Sequence, residues 1–590
     1  MTNKNSDLEK KIDSIGDLID LQKLHNNCIV CDHEIINSNL YKRFRICPSC
    51  RYHYTTTLRR KIAIISDRGS FREINKWIES RNTTDFSPKN SYKERFTNDK
   101  KRTNLNEAVI TGECLIGGNR SVLIILDSSF LGGTMGLVVG EKISLALEYA
   151  GKNKLPAVGI ITSSGKRFQD GILSLHQMAK TVISTKSVKK NNNPFIVILG
   201  NPCTGPVFSS FASMADIIFS EPKAHLGFAS LGELREVENN HIYEDHLSEF
   251  YLDNGQIDKI IERHEIKNEI TTILSLISTN LLLKSKQKYN NKKFVKKNPK
   301  QTINIARNRK RPTSKYYLKN LFTNFVELHG DRISNEDKSI ILGLGKISGQ
   351  TVVIAAQEKS FLLENKKYTM GEITPSGFRK AIRGAKLAES LNLCFITLID
   401  SLGPQIGTLN EKQGLASSIS NCINEISNIN VPSISIIIGE GISESAIAFS
   451  VTDRTLMMEN SIYASVKPEA AAKIETNEIE GIDDIANALK LTALDCKKIG
   501  VIDEIIQEPI KGAHDNPKET IKLVEKSLIY ELSNLNKISS YSLVKNRYNK
   551  IRNTGEYSNK YKSNFIKEIN YLGKGIKNSI QSFRIKKDSK

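Results

Sequence analysis

Two kinds of chemistry are written into residue types and spacing. The first is thiolate chemistry: Cys28 and Cys31 form one C-x2-C knuckle, and after fifteen residues Cys47 and Cys50 form a second. Each knuckle presents two sulfurs from a tight turn, and two knuckles complete a tetrahedron around one Zn2+. Four thiolates leave no open coordination position, so the expected metal is structural, one per chain, with a redox dithiol as the alternative. The other five cysteines are scattered singly and read as reduced, core-like residues.

The second is main-chain chemistry. Residues 156–162, PAVGIIT, form a short Val/Ile-rich run that reads as a buried strand, and Ser163-Ser164-Gly165 breaks it. Beyond Gly171, Ile172, Leu175 and Ala179 fall on one face of a helix. A strand, a small-residue turn and a helix start leave backbone N–H groups without intrahelical partners, which can hold a phosphate, a carboxylate or a developing oxyanion. Gly132, Gly133 and Gly136 in FLGGTMG would let the backbone approach a ligand or helix closely. The sequence contains no HExxH, P-loop, GxGxxG after a strand, or serine elbow, and its ten histidines are dispersed. Chemistry run by backbone donors and a cofactor fits that pattern.

The elements that must position these residues occur twice. PFIVILG at 194–200 resembles PSISIIIG at 432–439; Asp216 is matched by Asp453; NGQIDKII at 254–261 answers IGVIDEII at 499–506. The offsets are similar and the order is unchanged, so the chain reads as one α/β fold written twice. The expected organisation is a polar leader (1–25), a zinc ribbon (26–52), a first domain (53–283), a basic linker (284–312), a second domain (313–535) and a basic tail (536–590). In the second domain, Thr374-Pro375 should open a helix with Phe378, Ala381, Ile382, Ala385 and Ala388 on one face, and Arg379, Lys380, Arg383 and Lys386 exposed.

The net charge of +21 is uneven: residues 284–319 carry 14 Lys/Arg and no acid, and 541–590 carry 13 against three acids. The remainder is close to neutral. Such segments read as solvated and flexible, or as attracted to an acidic protein or nucleic acid. No apolar run approaches a membrane span and the first residues carry no apolar signal core, so a cytoplasmic location is expected.

At this point a resemblance is specific. CIVC…CPSC, RRKIAIISDRGSFREI, SFLGGTMGLVVGEK, RFQDGILSLHQMAK and SEPKAHLGF resemble the β subunit of bacterial acetyl-CoA carboxylase carboxyltransferase. RPTSKYYLKNLFTNFVELHGDR, PSGFRKAIRGAKLAE, NVPSISIIIGEG and TDRTLMMENSIYASVKPEA resemble its α subunit. The resemblance implies two crotonase-like domains in tandem behind the zinc ribbon. It implies transfer of CO2 from carboxybiotin, borne on a separate carrier protein, to acetyl-CoA, giving malonyl-CoA for fatty acid synthesis. It further implies a biotin carboxyl carrier protein and biotin carboxylase as partners, and assembly in which β-like and α-like domains meet across subunits. On this resemblance Ser164, Gly165 and Lys166 serve the thioester enolate; Gly441, Ile442, Glu444 and Ser445 serve the biotin ureido oxygen; Gly132, Gly133, Gly136 and Arg167 lie near CoA. The family's β loop Gly-Gly-Ala-Arg is Ser164-Gly165-Lys166-Arg167 here, and its α loop Gly-Gly-Ser-Gly-Gly is Gly441-Ile442-Ser443-Glu444-Ser445. Pro206 replaces a family glycine and supplies no N–H. An active enzyme, a degenerate paralogue with altered substrate or binding-only role, and a nucleic-acid binder acting through the ribbon and basic segments are the readings these residues leave open.

Overall fold

The computed structural model describes residues 26–80, 91–229, 243–278, 281–284, 294, 297–359, 371–476 and 482–554. The expected leader and the tail beyond 554 lie outside the described residues.

Two eight-stranded sheets share one topology. The first comprises β1 (Arg72–Ile74), β2 (Val109–Ile116), β3 (Asn119–Leu126), β4 (Ala157–Ser163), β5 (Phe195–Thr204), β6 (Ile217–Ser220), β7 (Leu226–Gly227) and β8 (Lys259–Ile260). Its order is β1-β2-β3-β4-β5-β6-β8, with β7 on β5. The second comprises β9 (Thr323–Leu328), β10 (Ile340–Ile347), β11 (Gln350–Gln357), β12 (Cys394–Ser401), β13 (Ser433–Ile442), β14 (Arg454–Met458), β15 (Ile462–Ala464) and β16 (Glu504–Ile506). Its order is β9-β10-β11-β12-β13-β14-β16, with β15 on β13. In each sheet the first three strands are antiparallel and the rest parallel. The parallel strands are near-continuous Val/Ile/Leu runs because both faces are covered.

The aspartates matched in the sequence do the same work in both copies. Asp216 accepts the Phe195 N–H at 2.9 Å, and Asp453 accepts that of Ser433 at 2.8 Å, at the start of β5 and β13. Asp258 accepts the Ile218 N–H at 2.8 Å, and Asp503 that of Thr455 at 2.7 Å. Each satisfies a strand-end donor that the ladder leaves over.

The halves share a seam. Ile270, Ile273 and Leu274 of the helix Ile266–Ser278 join one buried cluster with Leu342, Leu344 and Val353. Asp258 of the first half is bonded by Arg383, at 2.6 Å, and by Arg332 of the second. The ribbon is tied down by Arg263, which pairs with Glu221 and donates to the carbonyls of Phe44 (2.8 Å) and Tyr54 (2.9 Å).

Two expectations about charged faces are corrected, and one apolar face takes an outward direction. On the helix Pro375–Ser390, capped by Thr374 as expected, only Lys386 among the four cations is exposed. Lys380 is buried against Glu336 and the Ile340 carbonyl, Arg379 pairs with Asp331 at 2.7 Å, and Arg383 crosses the seam. The basic linker and tail are not wholly solvated: the helix Pro299–Ala306 packs, Arg311 is buried against Glu508, and on the helix Ser540–Arg552 Arg547 is buried against Asp453. Carboxylates 197 and 94 residues away neutralise these cations. Finally, the helix Ile172–Lys189 turns its Ile172 and Leu175 face outward and buries Ser174, Gln177, Thr181, Ser184, Thr185 and Val188. Its hydroxyls bond the helix's own carbonyls (Thr181 to Gln177, Ser184 to Lys180), so small polar residues can sit against the helix Leu137–Lys152 at low cost. A Cβ at Gly151 would come within 2.4 Å of the Ser187 carbonyl.

Candidate active site

The chain leaves β4 at Ser163 and immediately folds back on itself. The Ser163 hydroxyl donates to the Gly133 carbonyl at 2.7 Å and accepts the Gly165 N–H at 3.1 Å. Gly165 sits at φ 113°, a conformation that favours glycine, and the Gly205 turn after β5 packs on it. A Cβ on Gly205 would lie 3.1 Å from the Gly165 Cα. The Ser164 N–H goes to the Gly132 carbonyl (2.9 Å), Met135 N–H to Gly165 O (2.8 Å) and Arg167 N–H to Met135 O (2.9 Å). The Lys166 N–H has no acceptor among the described residues.

The second half repeats the construction. The Ser401 hydroxyl donates to the Gly371 carbonyl at 2.6 Å and accepts the Gly403 N–H at 3.1 Å. Gly403 has φ 125°, and Ser443, the counterpart of Gly205, has φ 61° against 63°. Ile373 takes the place of Met135 in bridging the turn. The counterpart of Lys166 is therefore Pro404, which has no N–H to offer. Donors arise here instead at the start of the helix Ser443–Ser450, whose first amides lack intrahelical partners and a side-chain cap. In the first half the matching second helical position is Pro206.

Ser164 and Lys166 are exposed at the lip of a cavity of about 350 Å³, with Gly132, Tyr92 and Arg95 in its wall. Arg95 was not singled out from the sequence, because its helix Ser91–Thr103 reads only as a polar segment. Gly132 and Gly133, at φ 67° and 66°, allow the turn to press on β4: a Cβ on Gly133 would meet the Thr162 carbonyl at 2.3 Å. Gly136 begins the helix Leu137–Lys152, and Asp170 accepts the Leu137 N–H at 2.7 Å. Arg167 also lines this cavity, although its side chain is almost wholly buried. Its guanidinium is buried and forms a bidentate pair with Glu107 at 2.8 and 2.6 Å.

Gly441 and Ile442 are buried residues of β13, laddered to Tyr463 and Ala464 of β15. The amide turn thus begins two residues later than the sequence pattern implied, at Ser443, since the short β15 partner left no recognisable signal. Ser445 is buried, its hydroxyl donating to Ser401 Oγ (3.1 Å) or the Ile442 carbonyl (3.0 Å). Glu444 is exposed, and its carboxylate accepts the Ser443 hydroxyl. Ser443 and Glu444 line a second cavity of about 540 Å³ with Tyr463, Lys490, Val501 and Lys550.

Cys28, Cys31, Cys47 and Cys50 converge, all four sulfurs lying within 4.8 Å of one another. The Cys28–Cys50 and Cys31–Cys47 separations are 3.6 and 3.7 Å. Sulfurs about 2.3 Å from a tetrahedral Zn2+ stand about 3.8 Å apart, so the donor set fits. The remaining cysteines are all buried, as expected of core residues, and burial pushes the Cys114, Cys394 and Cys496 thiols up to about 12. No described helix is long and apolar enough to cross a membrane.

Two tandem halves with this topology define a carboxyltransferase fold. Transcarboxylase 12S, solved as a hexamer core with methylmalonyl-coenzyme A, matches with a TM-score of 0.65 and 19% identity over 82% of this chain and 90% of that one. A single-chain, multi-domain long-chain acyl-CoA carboxylase matches with a TM-score of 0.60 and 17% identity over 81% of this chain and 46% of that one. The family model described as acetyl co-enzyme A carboxylase carboxyltransferase-like matches residues 249–555. The acetyl-coenzyme A carboxylase carboxyl transferase subunits beta/alpha of Clostridium tetani are 38% identical over 91% of this chain and 94% of theirs. Those of Natranaerobius thermophilus are 34% identical over 93% of each chain. The chain belongs to the acetyl-CoA carboxylase carboxyltransferase family, in its fused β/α form, and is an enzyme of that class.

Proposed function

We propose that this chain transfers CO2 from carboxybiotin on a separate carrier protein to acetyl-CoA, yielding malonyl-CoA for fatty acid synthesis. Carboxybiotin supplies the CO2 and, once decarboxylated, the base that takes the acetyl proton. The chain's own part is to hold oxygen atoms. The free Lys166 N–H, held out by the Gly165 turn, donates to the thioester oxygen as it becomes an enolate oxygen. The first amides of the helix Ser443–Ser450 hold the ureido oxygen. Lys166 and Arg95 side chains rim the first cavity, where the anionic part of CoA would lie over Gly132. Arg167, held by Glu107, forms part of the same cavity wall and fixes the loop that carries Lys166. The cysteine cluster takes one structural Zn2+, and a biotin carboxyl carrier protein and biotin carboxylase complete the system.

The observation that carries this reading is one turn built twice, each copy presenting amides at the end of a central parallel strand. Losing one such donor typically costs about 10²–10³ in rate. The two turns line separate cavities, so a reaction needing both draws on a second copy of the chain. Phe168 and Ile172 beyond the first turn, and Ile406 and Leu409 beyond the second, are 60, 66, 87 and 75% exposed, which suits burial between copies. The test is decarboxylation of malonyl-CoA, and of longer carboxylated thioesters, by the full chain with free biotin. Turnover with malonyl-CoA fastest is expected; no turnover with any thioester overturns the reading.

A further inference from the structure

Behind the second amide turn lies a charged cluster that the fold itself does not require. Glu440, on β13 one residue before Gly441, is 2% exposed. Its carboxylate takes Arg307 Nε at 2.7 Å and Lys359 Nζ. Lys359 also stands 3.2 Å from Asp400, which accepts the Glu440 N–H at 2.8 Å. Arg307 continues outward to Glu469. From the other side Gln357 accepts the Asp400 N–H (3.1 Å) and donates to the Ser445 carbonyl (2.9 Å), inside the amide-bearing helix. Burial alone would raise the Glu440 carboxyl, but Lys359 and Arg307 together hold it below the usual range.

The first half provides an internal control. By register, the positions of Gln357, Lys359, Asp400 and Glu440 are Leu126, Ser128, Thr162 and Pro202. That half forms the same turn, with the same Ser–Gly bonds, without this network. There a single buried cation, Lys61, reaches Thr162 at 2.9 Å and stands 3.7 Å from Asp127, so what belongs to the second turn alone is the pair Lys359 and Arg307 bridging Asp400, Glu440 and Glu469. Apolar packing points the same way: Ile303 and Ala306 of the helix Pro299–Ala306 share a buried cluster with Leu402 and Ile442, which flank both strands of the turn.

We propose that the segment joining the two halves is a strut for the second amide turn, with Arg307 as its positioning residue, acting through Glu440. This rests on the carboxyltransferase reading of that turn. Arg307 holds two carboxylates at once, so Glu440 and the strand end it belongs to have one orientation. The amides of Ser443, Glu444 and Ser445 are thereby aimed.

The test compares Arg307→Met, Arg307→Lys and Glu440→Gln in the full chain by steady-state kinetics and by hydrogen–deuterium exchange. Arg307→Met and Glu440→Gln should lower kcat by about 10- to 100-fold through misplaced donors. KM for the thioester, bound in the first half, should stay within about twofold. Amides of 443–446 should exchange faster while those of 164–167 do not change, and Arg307→Lys should recover most of both effects. Unchanged exchange at 443–446, or kcat and KM moving together, overturns the strut. Wild-type protein inactive on every thioester would instead sink the carboxyltransferase reading, and the exchange measurement would still decide the strut.

Discussion

Replacing Arg167 by Met strands Glu107, and the consequence can be worked out. The two side chains are 1 and 0% exposed, joined by two short bonds, with Ser80 Oγ (2.5 Å) and the Ala108 N–H (2.7 Å) completing the carboxylate's shell. Burial alone would raise the Glu107 carboxyl; Arg167 first, then these bonds, hold it below the usual range. Removing one partner of such a pair leaves an uncompensated buried charge, at a cost of about 3–5 kcal/mol. The pH dependence has a definite sign. In the native chain a depressed carboxyl adds stability that is present above its unfolded pKa and lost as pH falls through the folded one. In Arg167→Met the carboxyl is instead raised, and its stability is lost as pH rises through that window. The gap between the two proteins should thus be wide at pH 8 and narrow near pH 5. Urea denaturation followed by circular dichroism at both pH values measures it, and Glu107→Gln added to Arg167→Met should recover part of the loss. A cost below about 1 kcal/mol at pH 8, or a gap that ignores pH, would refute the argument.

Three further outcomes follow from the same geometry. Gly205→Ala places a side chain at φ 63° with its Cβ 3.1 Å from the Gly165 Cα; it should cost about 1–2 kcal/mol and lower kcat more than it raises KM, read by steady-state kinetics. Cys47→Ser should drop bound zinc from one per chain, measured by elemental analysis, and loosen the ribbon where Arg263 holds Phe44 and Tyr54. Arg547→Met removes donors to the carbonyls of Ser427 (2.9 Å) and Ile429 (2.8 Å) and to the Asp453 carboxylate (2.7 Å) and should destabilise the second half by about 3–5 kcal/mol, visible as earlier proteolysis within 415–460.

The duplication was legible because Asp216 and Asp453, and Asp258 and Asp503, each do one local job at fixed spacing along the chain. The strands were legible as apolar runs, but their ends were not. Cys203, Thr204, Gly441 and Ile442 stay in register only because β7 and β15 return beside them, a long-range pairing with no local mark. Arg307, Arg311, Lys380, Arg383 and Arg547 looked solvated because charge runs usually are, and their carboxylate partners lie 44 to 197 residues away. The outward Ile172 and Leu175 were readable as a stripe, but which face it turned was decided by Gly140 and Gly151 on the neighbouring helix. Donor identity at the turns depended on finding Pro404 opposite Lys166, which needs the three-dimensional repeat.

Lys550 does for the second half what Arg383 does for the first. Arg383 reaches the Asp216 carbonyl and the Asp258 carboxylate; Lys550 reaches the Asp453 carbonyl and the Asp503 carboxylate. The helix Ser540–Arg552 therefore fills the berth that the sister domain occupies one repeat earlier. Removing Ser540–Arg552 would leave Asp453 and Asp503 without Arg547 and Lys550, the counterparts of the cations that the sister domain supplies to Asp258 one repeat earlier.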